Sequence, residues 1–408
     1  MKRFKVLATF LALATMFLSA CGGSRNTTKP DPAAGPAPAP AATAKIIIGW
    51  SSSLSGGTAD LGDSSKKATE LALDEYKARN GKYASRIEVT YYDDEAKPDK
   101  AVQNVTRLTK DDHAIVLLGP ANSGNGNATI PISTKAQIPN IVNVATGVPL
   151  TWETAADGST IKEPPTPRQW VFRTSMSDLG QAPTMLKGLK AAGFSKAAIL
   201  HDTSGYGVFG KTELERRAKD FGVTITSTQS FKAGDTDMTT QIQKAKDSGA
   251  EVIMTYTLAP ELAQIFKSAD KIGWYPPFYG SWTLSQPLMY KLAGKDLIAK
   301  FNINMVQSFA PENSAAAADF QKKFIAKYGS DWMPQAAAQS YDAMNLLLEI
   351  IDKVGPDPQK IRDELESHTG FKAVSKLRPM TKQNHDGLLE EDMFLGKLMP
   401  DGTIVKVK

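Results

Sequence analysis

The residues best suited to chemistry in this chain are small ones. Residues 122–127 read Asn-Ser-Gly-Asn-Gly-Asn. They follow an uninterrupted apolar run at 114–118, which Gly119-Pro120 stops. Such a run, rich in β-branched and large side chains, suits a parallel strand buried on both faces. The polar residues therefore sit where a strand hands over to a helix, and that helix runs to Gln137. Amides, a hydroxyl and free backbone N–H groups at a helix start hold an anion by hydrogen bonds. They neither abstract protons nor attack carbonyls. A second short strand, 141–144, ends in Ala145-Thr146. Ligands bind outside the carboxyl ends of strands in open parallel sheets, and here two such ends lie close together.

Sharper motifs fail on context. Gly205-Tyr206-Gly207-Val208-Phe209-Gly210 matches the G-x-G-x-x-G pattern of dinucleotide sites. Asp202-Thr203-Ser204 separates it from the preceding strand, and the next strand ends at Thr226-Ser227 without the acidic residue a ribose needs. The plainer reading is a loop that exposes Tyr206, with the helix running over 211–220. Asp93-Asp94-Glu95 reads as a solvated strand end ahead of a cation site. Residues 119–125 lack the lysine and hydroxyl of a phosphate loop, and no G-x-S-x-G elbow occurs. The four histidines are widely spaced and Cys21 is the sole cysteine. Neither an internal disulfide nor a metal pair follows from such spacing. With no acid, base and nucleophile constellation, the chain is expected to be no enzyme, with no cofactor and no metal. The net charge is +5, of which Lys2, Arg3 and Lys5 supply three. The remaining balance of about +2 forms no basic cluster with interleaved aromatics, which argues against nucleic acid.

The elements that must position these residues begin after an export segment. A basic start, an apolar stretch at 6–18 and Ser19-Ala20 read as a secretory signal over 1–20, too short for a membrane span. Leu18-Ser19-Ala20-Cys21 resembles the lipobox of bacterial lipoproteins, whose chemistry would put diacylglycerol on the Cys21 sulfur. Residues 21–44, small and repeatedly proline, read as a tether. From residue 45 onward, strands and helices alternate, which argues for parallel sheets covered on both faces. The expected order opens with a strand at 45–50, a loop at 51–62, and a helix over 65–79 capped by Asp63 or Ser64. The rhythm breaks at 148–169 and restarts near Trp170. Two strandless helices over 313–354 then complete a lobe. The predicted fold class is α/β, two Rossmann-like lobes with a hinge. Lobe 1 spans 45–170 plus 309–380, and lobe 2 spans 171–308 plus 381–408.

Read in order, a set of short motifs carries a resemblance. They are Ile48-Gly49, Leu54-Ser55-Gly56 and Gly62, then Ala72 with Asp74-Glu75, and Tyr92-Asp93-Asp94. Gly119, Ser123 and Pro131 follow, then Ala145-Thr146 with Leu150-Thr151. Phe172-Arg173-Thr174 with Asp178, and His201-Asp202 with Tyr206-Gly207, extend them. From residue 45 to 408 the chain resembles the branched-chain amino-acid binding proteins of bacterial ABC importers, the type I periplasmic binding fold. The resemblance implies a two-lobed clamp with three crossings between lobes and a ligand in the cleft. It implies that Asn122, Ser123 and Asn125 serve a ligand carboxylate. Val144, Ala145 and Thr146 would add backbone and hydroxyl contacts. Leu61 falls where an aromatic ring often packs on the ligand. Tyr206 would close from the second lobe, and Asp178 would stand near the cleft.

One departure bears on the ligand. Amino-acid binders place a glutamate after the glycine matching Gly280, where it pairs with the ligand ammonium. Here Gly280-Ser281-Trp282-Thr283 brings a tryptophan. Either Trp282 lines the cleft as a flat apolar wall, or it packs in the core. The ligand is accordingly a branched-chain or other amino acid, or an apolar or aromatic acid or amide. The resemblance further implies an ABC permease as partner, a monomeric state, and attachment by lipid to a bacterial membrane on its periplasmic or extracellular face. A ligand-sensing protein of the same fold, signalling to a membrane receptor, is the alternative.

Overall fold

The structure, a computed structural model, describes residues 44–155, 161–162 and 165–407. The expected signal, most of the tether and Cys21 lie outside the described residues. The residues from 44 on belong to one compact unit built from two α/β lobes.

The first lobe opens with β1 (Ile46–Ser52), α1 (Ala59–Ala78), β2 (Ile87–Asp93) and α2 (Pro98–Lys110). It continues with β3 (Val116–Leu118), α3 (Ser123–Ala136), β4 (Asn140–Val142) and β5 (Val171–Arg173). The sheet order is β2-β1-β3-β4-β5, and every pairing is parallel. Ile48, Trp50, Val116, Leu118, Ile141 and Phe172 are buried in one cluster, as expected for strands covered on both faces. β5 belongs to this sheet, so the first crossing follows Arg173 and not residue 170.

The second lobe holds α4 (Asp178–Ala191), β6 (Lys196–Asp202), α5 (Gly205–Ala218), β7 (Thr224–Phe231), α6 (Thr239–Asp247), β8 (Val252–Tyr256) and α7 (Ala259–Lys271). It goes on through β9 (Phe278–Gly280), α8 (Pro287–Ala293), α9 (Lys295–Ile298) and β10 (Ile303–Gln307). The chain then returns to the first lobe with α10 (Ala315–Tyr328), α11 (Pro334–Val354) and α12 (Pro358–Leu365). Pro334 takes the first helical position of α11, where its fixed φ suits the turn and its missing N–H is no loss. Met344, Leu347, Leu348 and Ile351 of α11 pack under β1 and β3. A last pair, β11 (Phe394–Leu398) and β12 (Ile404–Lys406), joins the second sheet antiparallel, in the order β12-β11-β10-β9-β8-β6-β7.

The chain thus crosses between lobes after β5, after β10 and before β11. Two crossings run side by side: Arg173 N donates to His385 O (2.9 Å), and Gly387 N donates to Arg173 O (2.9 Å). Between them the Arg173 guanidinium, wholly buried, meets Asp386 Oδ1 at 2.8 Å. The third crossing is held by side chains of α11, with Gln335 Oε1 accepting from Ser308 N (3.0 Å) and Phe309 N (2.7 Å) and Gln339 Nε2 donating to Ser308 Oγ (3.1 Å).

Candidate functional site

The first lobe offers its strand ends. Asn122 caps α3, its Oδ1 accepting from Gly124 N at 2.7 Å and Asn125 N at 3.4 Å, the ordinary role of asparagine before a helix. Ser123 Oγ accepts from Gly147 N at 3.1 Å and ties the loop after β3 to the loop after β4. Both side chains are therefore engaged within their own lobe, leaving the helix start itself to face the cleft. Asn125 is buried against Asp94. Asp94 is wholly buried too, with Ser53 Oγ donating to it at 2.7 Å. The strand end at 93–95 is thus a built turn and not the solvated end expected. Val144, Ala145 and Thr146 are buried, and their loop is pinned from behind. Arg173 donates to Ala145 O (3.3 Å) and Gly147 O (2.7 Å).

α1 begins at Ala59, six residues before the expected start, so Leu61 and Gly62 lie in a helix and not in a loop. The reason is packing. A Cβ on Gly62 would stand 1.7 Å from Ser53 O, so only glycine lets this first turn lie against the end of β1. Leu61 then points into the interlobe cluster.

In the second lobe Asp178 opens α4 and its N–H donates to Thr146 O at 3.0 Å. Gln181 Nε2 donates to Asp178 Oδ1 at 2.9 Å, and Gln181 Oε1 accepts from Trp282 N at 3.1 Å. Tyr206 corrects the sequence reading. It lies in the first turn of α5, capped by Ser204, and is buried, with its hydroxyl bonded to Ser281 Oγ and, at 3.2 Å, to Thr283 Oγ1. The glycines around it serve close approach inside a helix. A Cβ on Gly210 would stand 2.0 Å from the Tyr256 ring, and one on Gly205 would stand 2.9 Å from Gly124 Cα.

That last contact crosses the cleft. The start of α5 from one lobe abuts the start of α3 from the other, and the lobes stand closed. Leu61, Val144, Tyr206, Tyr256, Trp282, Met333 and Ala336 form part of one buried cluster drawn from both lobes. Trp282, 2% exposed, is thus a wall between lobes as well as core. All ten residues singled out in the sequence are buried.

Within this apolar setting Thr146 Oγ1, Asp178 Oδ2 and Tyr256 Oη face one another without hydrogen bonds of good geometry, and Thr257 Oγ1 and Trp282 Nε1 have no partner among the described residues. Buried polar atoms are nearly always hydrogen-bonded, so this grouping is what a site built for a ligand presents. Burial pushes the Asp178 carboxyl up to about 7, against the opposing pull of Thr146, Arg173 and Tyr256. Burial likewise raises the Tyr206 and Tyr256 phenols, and the nearby Asp178 raises both further. Two helix starts, hydroxyls and an indole N–H suit an anionic oxygen, and the tryptophan and leucine suit an apolar body. Of the five residues in this group, Asp178 carries the carboxylate that could answer a cation. Tyr256 and Thr257 were missed in the sequence, although they follow the same strand-end logic at the close of β8. Gln181 carried no local signal. Among the described residues, no group of three or more His, Cys, Asp or Glu side chains could hold a metal ion. No helix of the described residues is long and apolar enough to cross a membrane.

Comparison with known proteins fits this geometry. A family model described as "Periplasmic binding protein" matches residues 45–403. The leucine-, isoleucine-, valine-, threonine- and alanine-binding protein of Pseudomonas aeruginosa is 24% identical over 79% of this chain and 83% of its own. A type 1 periplasmic binding protein of Bordetella pertussis Tohama I has a TM-score of 0.81 at 26% identity, covering 89% of this chain and 99% of its own. A Rhodopseudomonas palustris solute-binding protein, solved with 4-hydroxybenzoate, has a TM-score of 0.72 at 17% identity, over 89% and 96%. The chain belongs to the periplasmic binding protein family, among the homologues of Leu/Ile/Val-binding proteins with the type I fold. It is an exported, non-catalytic solute-binding protein of the ABC-importer type.

Proposed function

We propose that this protein captures a small carboxylate with an apolar body between its lobes and delivers it to the permease of an ABC importer. The observation that carries the reading is a group of buried polar atoms inside an apolar interlobe cluster: Thr146 Oγ1, Asp178 Oδ2 and Tyr256 Oη face one another without a well-formed hydrogen bond, and Trp282 Nε1 has no partner among the described residues. The ligand carboxylate faces the starts of α3 and α5, whose N–H groups favour negative charge. Leu61, Val144, Tyr206 and Trp282 enclose the body. The loops carrying Asn122, Ser123, Asn125, Ala145 and Thr146 give the first lobe's half of the site. The related P. aeruginosa protein binds amino acids, and the same fold in R. palustris holds an aromatic acid. The fold therefore admits both classes, and Asp178 decides whether an amine belongs in this site.

The reading includes the membrane. Cys21 carries a lipid, residues 22–44 form a tether, and the globular part works as a monomer close to the bilayer. Incorporation of labelled fatty acid into the wild type and not into Cys21→Ala is the expected result.

The ligand test is calorimetric titration of the chain from residue 45 on, unfolded and refolded to strip bound solute. The panel holds leucine, isoleucine and valine beside their amine-free acids and amides, and benzoates. Binding of one carboxylate class in the micromolar range or tighter is expected. Silence toward every carboxylate of the panel would sink the reading.

A further inference from the structure

Outside the ligand cluster, one buried side chain joins the lobes. Gln286 follows the single helical turn that begins at Trp282, in the second lobe, and is 1% exposed. Its Oε1 accepts from Ala259 N, the first residue of α7, at 3.0 Å. That bond fixes the orientation of the amide and turns its N–H₂ toward the first lobe. There Nε2 donates to both carboxylate oxygens of Asp60, at 3.0 and 3.1 Å. Asp60 lies in the first turn of α1, one residue before Leu61, and its Oδ1 also accepts from Leu61 N at 3.0 Å. Farther along the same seam Lys291 Nζ of α8 meets Asp331 Oδ2 at 2.5 Å, with both side chains more than half exposed.

We propose that the Asp60–Gln286 contact is an interlobe latch. It is made when the lobes close, and it sets ligand affinity and residence time without touching the ligand. The inference rests on the reading that the cleft closes over a solute. Three features distinguish the contact from incidental packing. The amide has one orientation, because a backbone N–H occupies its oxygen. The acceptor is a carboxylate, and hydrogen bonds to charged groups are the stronger kind. Each partner is joined by a few residues to a wall of the cleft, Asp60 to Leu61 and Gln286 to Trp282, so latch and ligand draw on the same closure. The Lys291–Asp331 pair is exposed and adds little. A ligand that needs a minor closed state binds more weakly by the fraction closed. Removing the latch therefore acts on every ligand by one factor.

The test compares wild type, Gln286→Leu, Gln286→Glu and Asp60→Asn, each from residue 45 on and stripped of ligand. The probes are leucine and 4-methylpentanoate, followed by stopped-flow tryptophan fluorescence. Gln286→Leu is expected to raise Kd about tenfold, mostly through faster dissociation, for whichever probe the wild type binds. Where both bind, the factor is the same for the two, so their affinity ratio stays fixed. Gln286→Glu sets two carboxylates against each other and exceeds that effect. Asp60→Asn keeps an oxygen acceptor and recovers most of the wild-type affinity. An unchanged Kd in Gln286→Leu and Gln286→Glu overturns the latch, and so does a change in the ratio between probes. If the wild type binds neither probe, the comparison is made with whichever carboxylate of the titration panel it binds, and the ligand reading fails if it binds none. Spin labels, one on each lobe, then decide the latch in the ligand-free proteins: a smaller closed population in Gln286→Glu supports it, and equal populations reject it.

Discussion

Asp178 gives the sharpest experiment, because pH reads out the ligand's chemistry through it. Its carboxyl is pushed from an ordinary 3.8 up to about 7 by burial. A raised carboxyl binds more protons folded than unfolded. It therefore costs stability above pH 7, on the order of 4 kcal/mol at ~1.4 kcal/mol per unit. That cost is relieved as pH falls through 7 toward 3.8. Binding follows with a sign set by the ligand. An ammonium needs the ionised carboxylate, so Kd would be flat above pH 7 and weaken about tenfold per unit below it. An amine-free acid is repelled by that carboxylate, so Kd would tighten as pH falls through 7 and level off once Asp178 is neutral. Asp178→Asn removes the titration in both cases. It costs an amine-bearing ligand the charge-assisted hydrogen bond, about 1.5–3 kcal/mol or roughly 10–150-fold in Kd, and it fixes an amine-free acid near its low-pH affinity. The assay is calorimetry from pH 5.5 to 8.5 in two buffers of different ionisation enthalpy, which counts protons released or taken up. A Kd independent of pH in the wild type, with no proton exchanged near pH 7, would refute the reasoning that Asp178 faces the ligand.

Other outcomes follow from the same packing. Trp282→Ala should weaken binding of an apolar carboxylate by about 10–100-fold, from the buried area lost at ~25 cal/mol per Å², and should reduce the ligand-induced change in tryptophan fluorescence. Tyr206→Phe keeps the ring but leaves Ser281 Oγ and Thr283 Oγ1 with one partner fewer, for a loss of about 1 kcal/mol in denaturant stability and a small change in Kd. Arg173→Met leaves Asp386 buried without its cation, a change that costs about 3–5 kcal/mol. At ~2 cal/mol/K per residue over roughly 360 residues, this lowers Tm by about 4–7 °C in a thermal scan.

The strands were legible because apolar runs bounded by glycine, proline or polar clusters state their own limits. The 21 residues of α11 were legible for the same kind of reason, with Pro334 at the start and Gly355 past the end. The misplaced starts of α1 and α5 share one cause. Gly56-Gly57, Gly62 and the glycines at 205–210 look like loop chemistry, yet Gly62, Gly205 and Gly210 lie within helices. What they serve is distant in sequence: Ser53 O, Gly124 Cα and the Tyr256 ring. No local rule contains those partners. Leu61, Val144, Tyr206 and Trp282 do meet in one cluster. Which polar atoms there would be left unpartnered was not readable, because that depends on pairs such as Gln181 with Trp282 and Asp178.

The same pairs explain how a hinge can be heard at the ligand. Arg173 sits at the first crossing and bonds Asp386 at the last, so it ties two of the three crossings together. Its guanidinium also holds the carbonyls of Ala145 and Gly147, and between them Thr146 O accepts from Asp178 N. Asp386 is further fixed by Thr151 Oγ1 at 2.7 Å and Trp152 Nε1 at 2.9 Å. A buried pair held by this many hydrogen bonds is rigid, whatever its net contribution to stability. A turn of the second lobe about these crossings would therefore move Asp178 against Thr146 while the loop at 145–147 stays fixed to the first lobe. Closure of the kind proposed for the ligand would then assemble the polar half of the site and the Asp60–Gln286 contact in one motion.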